Sequence, residues 1–489
     1  MKLRGADMVA RTLAAAGVRQ LFALSGNHVM PLFDAALDAK LRLIHVRHEA
    51  AAVHMADAWA RLTGEVGVAL VTGGPGHANA VAALYTALEA ESPVVLLSGH
   101  APLGELGKGA FQEMRQADMA GPVTKAAWTV QSIERLAEDL AGAMQEARSG
   151  RPGPVHLSLP QDVLDGLADT GIPAAPEPAP PTLGPLPTEL AQAERPLIIA
   201  GPAMMRNPEL GALEEASGIP VIGMESPRGV NDPSLGKLAE VLARADAVLL
   251  LGKKLDFTLR FGKAFPPGCR VLHAEAVPLA RGHKGGSSWR DDVKAALAYR
   301  PPEWKAIQGS LHPVALCREV QRLLEHPDAV LVCDGGEFGQ WAQACLSAPR
   351  RVINGPAGSI GSALAFAAAA KLAFPSAPVV ALMGDGTFGF HMSELDTAVR
   401  YGLAYTAVVG NDACWNAEYQ IALKAYGKER AVGLDLLPTR YGAAAAALGA
   451  HGEDVFEAKD LRSALQRAAA AGKPACVNVL IERQPAPRY

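Results

Sequence analysis

Asp385 and Asp412 carry the first chemical suggestion in this chain of 489 residues. Asp385 lies in "MGDGTFGF", between Gly384 and Gly386, and Asp412 closes "TAVVGND". Their separation fits one helix and one strand, which would return both acids to the same edge of a parallel sheet. The two glycines let the backbone approach a phosphate closely, and Thr387 adds a hydroxyl donor. A hard cation such as Mg²⁺ takes oxygen ligands from one or two protein groups, and diphosphate oxygens complete its shell. The expected ligands are the side chains of Asp385 and Asp412, with the backbone carbonyl of Cys414 as a third. The plainer alternative is two unrelated turn acids, since Gly-Asp-Gly alone is an ordinary turn.

Other polar residues gather in similar places. His28 follows "LFALSGN", and Glu49 follows "LIHVRH" and opens the helical stretch "AAAVHMADAWARL". The loop "GGPGH" (Gly73–His77) follows "VALVT", and Asp334 follows "AVLVC". Ligands of open parallel sheets bind beyond the carboxyl ends of the strands. These positions, in two separate segments, predict a cleft between them.

The elements that must position these residues are apolar β-rich runs alternating with Ala/Leu-rich helical stretches. "RQLFAL", "RLIHV", "GVALVT", "PVVLLSG" and "GPVHLSL" predict a first domain over 1–168. "TGIPAAPEPAPPTLGPLP" holds too much proline for helix or sheet and reads as a stiff linker over 169–187. "RPLIIAG", "IPVIG", "DAVLLLG" and "CRVLHAE" predict a shortened central domain over 188–300. "DAVLVCDGG", "PVVALMGDG", "AYTAVVGND" and "PACVNVLIE" predict a third over 310–489. The expected fold class is α/β, with three doubly wound parallel-sheet domains. The first and third share a plan of strand, glycine loop, helix and strand. "SELD", from Ser393, is a capping-box pattern, and Leu395, Ala398 and Val399 give the helix after it one buried face.

Composition narrows the class. Hydrophobic residues make up 49% and charged residues 20%, and the net charge is −4. With both signs interspersed, neither nucleic acid nor a membrane surface is an expected partner. No run reaches the ~18 apolar residues of a membrane span, and the N-terminus lacks a signal-peptide core. Six scattered cysteines without CxxC pairs read as reduced thiols of a cytoplasmic protein.

Gly-Asp-Gly, then a helix, a strand and Asn-Asp, resembles the thiamine-diphosphate signature, which usually closes on Asn-Asn. "HVRHEAAAVHMADAWARLTGEVGVALVTGGPGHAN" resembles the pyrimidine-binding domain of acetolactate synthases and benzaldehyde lyases. "AFQE" (Ala110–Glu113) matches the synthases there, and "CDGGEFGQWAQA", "GPAGSIGSALAF" and "PACVNVLIE" resemble the diphosphate-binding domain. The resemblance implies thiamine diphosphate and Mg²⁺ as cofactors. It implies a homodimer or homotetramer, with the cofactor between the first domain of one subunit and the last of another. The implied enzyme is a carboligase or lyase that makes or cleaves a carbon–carbon bond beside the carbonyl of small 2-oxo acids or 2-hydroxy ketones.

Carried over residue by residue, the resemblance gives Glu49 the bond to the aminopyrimidine ring that promotes loss of the thiazolium C2 proton. That role requires a carboxyl able to share a proton near neutral pH. Pro75 and Asn79 belong to the same cofactor-binding loop. Gly335, Gly336 and Ser359 would offer donors to the diphosphate, and Ile360 would hold the cofactor bent, unless it is simply a core residue. Trp415 follows the metal loop, with Asn416 and Glu418 behind it toward the substrate. His28 matches a histidine of the benzaldehyde lyases and would relay protons. His77, Phe111 and Gln112 would line the substrate side.

Several positions depart from the family. Asp412 stands where asparagine is usual, which would tighten Mg²⁺ or change metal preference. Glu337-Phe338 replaces the Gln-His of the synthases, so those phosphate contacts are lost or replaced. No flavin cradle is evident in "GMESPRGVNDPSLGKLAEVLARADAVLLLG", so FAD is not expected, and no GxGxxG marks a dinucleotide dehydrogenase. The paired histidines of pyruvate decarboxylases are missing from "GKGAFQ", which favours a carboligase over a simple 2-oxo acid decarboxylase. A cyclic diketone hydrolase stays open. So does a non-catalytic regulatory subunit, against which Glu49, Asp385 and Asp412 all argue.

Overall fold

The computed structural model describes residues 2–169, 171–173, 186–276, 287–300 and 311–487. The stretch read as a linker lies for the most part outside these residues. Six strands build the first sheet: β1 (Gln20–Ala23), β2 (Arg42–His45), β3 (Gly67–Val71), β4 (Val94–His100), β5 (Ala126–Thr129) and β6 (Val155–Pro160). They lie side by side as β2-β1-β3-β4-β6-β5, every pair parallel. Four strands build the second: β7 (Pro196–Ala200), β8 (Val221–Gly223), β9 (Ala247–Leu251) and β10 (Arg270–Ala274), in the order β8-β7-β9-β10. The third contains β11 (Val330–Cys333), β12 (Arg350–Ile353), β13 (Val379–Gly384), β14 (Thr406–Asn411), β15 (His451–Val455) and β16 (Ala475–Leu480). Its order, β12-β11-β13-β14-β16-β15, repeats that of the first sheet strand for strand.

Parallel sheets are covered on both faces, so their strands are apolar on both. Along β1, β3 and β4, Phe22, Ala69, Val71 and Leu96 enter one core, and Leu21, Ala23, Leu70 and Leu97 the other. The first of these cores does not stop at the domain edge. It continues through α1 (Glu49–Thr63) into residues of the last sheet and its alanine-rich helix Ala363–Ala373. Small side chains let the two helices approach closely. A buried ion pair braces the junction: Arg61 holds Asp57 at 2.7 Å, and its guanidinium also donates to the Ile353 carbonyl at 2.7 Å. Among the described residues no helix is long and apolar enough to cross a membrane.

The capping box read at Ser393 does not form. Ser393 itself has helical dihedrals, φ −59° and ψ −20°, and its side chain caps nothing. The hydroxyl of a helical residue faces away from the amides two and three positions on. Asp396 is held instead by Arg400 at 2.9 Å. A helix has in fact already begun at the acid of Gly-Asp-Gly, over Asp385–His391, and only Met392 and Ser393 separate it from the next, Glu394–Tyr401.

Candidate active site

Gly384 at the end of β13 pairs in register with Gly410 of β14, so Asp385 and Asp412 emerge beside each other. They open onto a cavity of ≈ 220 Å³. Gly336, Ile360, Gly384, Gly386, Thr387, Cys414 and Trp415 line it with them, as do Gly335, Asn416 and Glu418. Ser359, expected with this group, is not in the lining, although Gly358 and Ile360 on either side are. Its carbonyl accepts a bond from the Asn354 amide at 2.9 Å.

The electrostatics suit a cation. Asp385 is 1% exposed, and its Oδ2 has no hydrogen-bond partner. Burial pushes its carboxyl up to about 6, against backbone donors that include the Cys414 amide. Asp412 rises to about 7, first from burial and then from repulsion by Asp385. Among the described residues no group of three or more His, Cys, Asp or Glu is arranged to hold a metal. Two carboxylates are what a cation needs when phosphate oxygens fill the rest of its shell. The loop itself is strained and clamped. Ala413 has φ +51°, and Arg483 donates to the carbonyls of Asp412 (3.3 Å) and Ala413 (3.0 Å). Trp415 lies so close over Gly386 that a β-carbon there would come 2.6 Å from its ring.

Asp334, at the exit of β11, plays a different part from that of its neighbours. Its carboxylate turns inward and accepts the amides of Gly335 (2.7 Å), Gly361 (2.9 Å) and Ala363 (3.1 Å). It thereby pins the two loops that border the cavity.

The second group of expected residues lies at the exits of the first sheet. Glu49 opens α1, where His48 accepts the Ala50 amide as a cap. The Asn79 amide donates to Glu49 Oε2 at 3.0 Å. Pro75 starts the helix Pro75–Glu89, and a β-carbon on the next residue, Gly76, would sit 3.2 Å from Glu49 Oε1. Gly74 is at φ +58°, crowded by the Gln112 carbonyl, and its amide donates to Gln116 Oε1 at 2.8 Å. Gln112 is at φ +56°, with its Oε1 buried and without a partner. His28 is buried, 3.3 Å from the Thr72 hydroxyl, and stacks on the exposed Phe111. Burial, then His100, pulls its pKa below 6.5.

His77 does not join them. It is fully buried, 2.9 Å from the Ser98 hydroxyl and beside His156, and burial lowers it to about 4. Two contributors had no signal in the sequence. Gln116 holds the glycine loop. Glu394 reaches back to accept the amides of Arg47 (3.0 Å) and His48 (3.1 Å), fixing the entry to α1.

Residues 3–119 match the family described as thiamine pyrophosphate enzyme, N-terminal TPP binding domain, and residues 334–479 match the corresponding C-terminal TPP binding domain. The chain belongs to the thiamine pyrophosphate enzyme family. It is similar to the acetolactate synthase large subunit IlvG of Mycobacterium tuberculosis, 34% identical over 97% of this chain and 95% of the relative. It is likewise similar to 2-hydroxyacyl-CoA lyase 2 of Bos taurus (33%) and Homo sapiens (31%), each over 98% of this chain and 90% of the relative. The two TPP-binding regions of this family member carry the two groups of residues described above, one on each six-stranded sheet.

Proposed function

We propose that this enzyme uses thiamine diphosphate and Mg²⁺ to make or cleave a carbon–carbon bond beside a carbonyl, with 2-oxo acids or 2-hydroxy ketones as substrates. One observation carries the reading: a partnerless, buried carboxylate oxygen on Asp385 beside a second raised acid, in the C-terminal TPP-binding region. The names of the relatives describe a synthase and a lyase, the two directions of such chemistry. Residues 1–168, 188–300 and 310–489 would be the pyrimidine-binding, central and diphosphate-binding domains.

Asp385, Asp412 and the Cys414 carbonyl would hold Mg²⁺, and the amides of Gly335 and Gly336 would face the diphosphate. Ile360 and Trp415 would wall the cofactor. Bound thiamine diphosphate supplies the thiazolium carbon that adds to a substrate carbonyl. Glu49 would hold a proton at the aminopyrimidine ring through Oε1, since Oε2 already accepts from Asn79. His28, kept neutral at pH 7, has one ring nitrogen to donate and one to accept, as a proton relay needs. Gln112 and Phe111 would border the substrate.

The complete site would form between subunits of a homodimer or homotetramer. In support, no described residue before Ser226 lines the Asp385/Asp412 cavity, so Glu49 of the same chain is not part of it. The test is proton exchange at thiazolium C2, followed by NMR in deuterated buffer with thiamine diphosphate and Mg²⁺ present. Wild-type protein should exchange rapidly and Glu49→Gln should not. Normal exchange in Glu49→Gln would remove Glu49 from this role.

A further inference from the structure

We propose that Arg228, on a loop of the central domain, is a cofactor-binding residue that takes the terminal phosphate group of thiamine diphosphate. The inference rests on the cofactor proposed above. Among the described residues lining the Asp385/Asp412 cavity, Arg228 is the one lysine or arginine. The other charged side chains there, Glu337, Asp385, Asp412 and Glu418, are all acids. One divalent cation shared between two carboxylates and two phosphates leaves such a cavity strongly negative. A guanidinium answers that deficit, and its planar fork meets two phosphate oxygens at once.

The loop that presents Arg228 is built in place. Glu225, three residues earlier, is bonded by Arg351 at 2.9 and 3.1 Å, across the boundary between the central and last sheets. The Ser226 hydroxyl accepts the Arg228 amide at 3.2 Å. Pro227 borders the turn at Gly358, where a β-carbon would lie 3.7 Å from it. The central domain thus brings its arginine, with Ser226 and Pro227, to the wall of a cavity whose other described lining residues belong to the last domain.

Glu337 adjusts the strength of this contact. Its Oε1 is held by the Ala486 amide at 2.8 Å. Its Oε2 lies 3.5 Å from the Arg228 guanidinium, a long ion pair that a phosphate would compete with. The carboxylate therefore orients Arg228 and weakens its hold on the anion.

Calorimetric titration of the full-length apo-protein with thiamine diphosphate, at fixed Mg²⁺, tests this. Arg228→Ala and Arg228→Gln should each weaken binding by about tenfold or more, and Arg228→Lys should recover part of the loss. Thiamine monophosphate, which lacks the terminal phosphate, should lose less. Glu337→Gln keeps an acceptor for Ala486 but removes the competing charge, so it should tighten binding several-fold. A gain of affinity cannot come from misfolding. Unchanged affinity in both Arg228→Ala and Arg228→Gln, or equal losses for the two thiamine phosphates, would overturn the assignment. Wild-type protein that binds no thiamine diphosphate would instead overturn the cofactor reading, and this inference with it.

Discussion

The first and last sheets have one strand order and opposite chemistry. Their corresponding strand exits deliver His28 against Asp334 (β1 and β11), the Gly73–Gly76 loop against Asp385 (β3 and β13), and His100 against Asp412 (β4 and β14). Burial favours the neutral form of any titratable group, and here the same force serves two ends. In the first sheet it lowers His28 and His100, leaving imidazoles that can pass a proton at neutral pH. In the last it raises Asp385 and Asp412, leaving acids whose charge is costly without a cation to offset it. The topology fixes where a ligand group stands, and the residue placed there decides what it does.

The comparison breaks most completely at Asp385. Asp385→Asn should weaken Mg²⁺-dependent thiamine diphosphate binding at least about a hundredfold by calorimetry, because it removes a charged ligand from a buried site. Chelating Mg²⁺ from the wild type should release the cofactor to a similar degree. Neither change should alter the first sheet. If Asp385→Asn binds the cofactor normally, the last sheet does not hold the metal.

His28→Ala should leave cofactor affinity intact and lower kcat by about a hundredfold, the scale of a lost proton relay. The sign of its pH dependence follows from burial. With a pKa below 6.5 the imidazole is neutral at pH 7 and gains a proton only as the pH falls. Activity that needs the neutral ring should therefore decline on the acid side, and that limb should vanish in His28→Ala. An unchanged acid limb in the variant would assign it to another group.

Much of this contrast can be read in the sequence, and what escapes it does so for physical reasons. Strands at sheet centres are continuous apolar runs. The three strands of these sheets that no apolar run marks, β5, β12 and β15, are all edge strands, where one flank is open and charges such as Arg350, Arg351, Glu453 and Asp454 are tolerated. Glu49, Asp385 and Asp412 are legible because each is an acid set in a break after an apolar run. Position alone does not give direction, however. Asp334 has the same setting but turns inward to pin loops, and His77 turns into the core. Glu394 and Arg228 are hidden for another reason. Their partners lie in other domains, hundreds of residues away for Glu394, and no local pattern records such a contact.

Glu394 is where the two lobes can be uncoupled. Its buried carboxylate takes the Arg47 and His48 amides and the Thr397 hydroxyl, at 2.7 Å, so the last domain holds the first turn of the Glu49 helix in place. Glu394→Gln retains one acceptor and loses the other. The expected result is C2 proton exchange slowed about tenfold, roughly the effect of weakening one or two charge-assisted bonds, with Mg²⁺ and cofactor affinity unchanged. A matching loss of affinity would mean that Glu394 supports the metal side instead.

The smallest expected effect sharpens the comparison from the metal side alone. At Gly386 an added β-carbon would meet the six-membered part of the Trp415 ring at 2.6 to 2.9 Å, closer than any real contact, so the ring must move. It has somewhere to go, because it borders the cavity and the exposed Phe390 ring, with centroids 6.2 Å apart. Gly386→Ala should therefore be absorbed by a tilt of Trp415 rather than by unfolding, costing about 1–3 kcal/mol as overpacking does. Cofactor affinity should fall only several-fold, and the tryptophan emission should shift, since the ring changes its exposure. Exchange at C2 under saturating cofactor should match the wild type, because Glu49 and the Asn79 amide that bonds it lie on the other sheet. Slowed exchange at saturation would show that the wall made by Trp415 also sets the cofactor's reactive end, and the division of labour between the two sheets would then be less complete than their residues suggest.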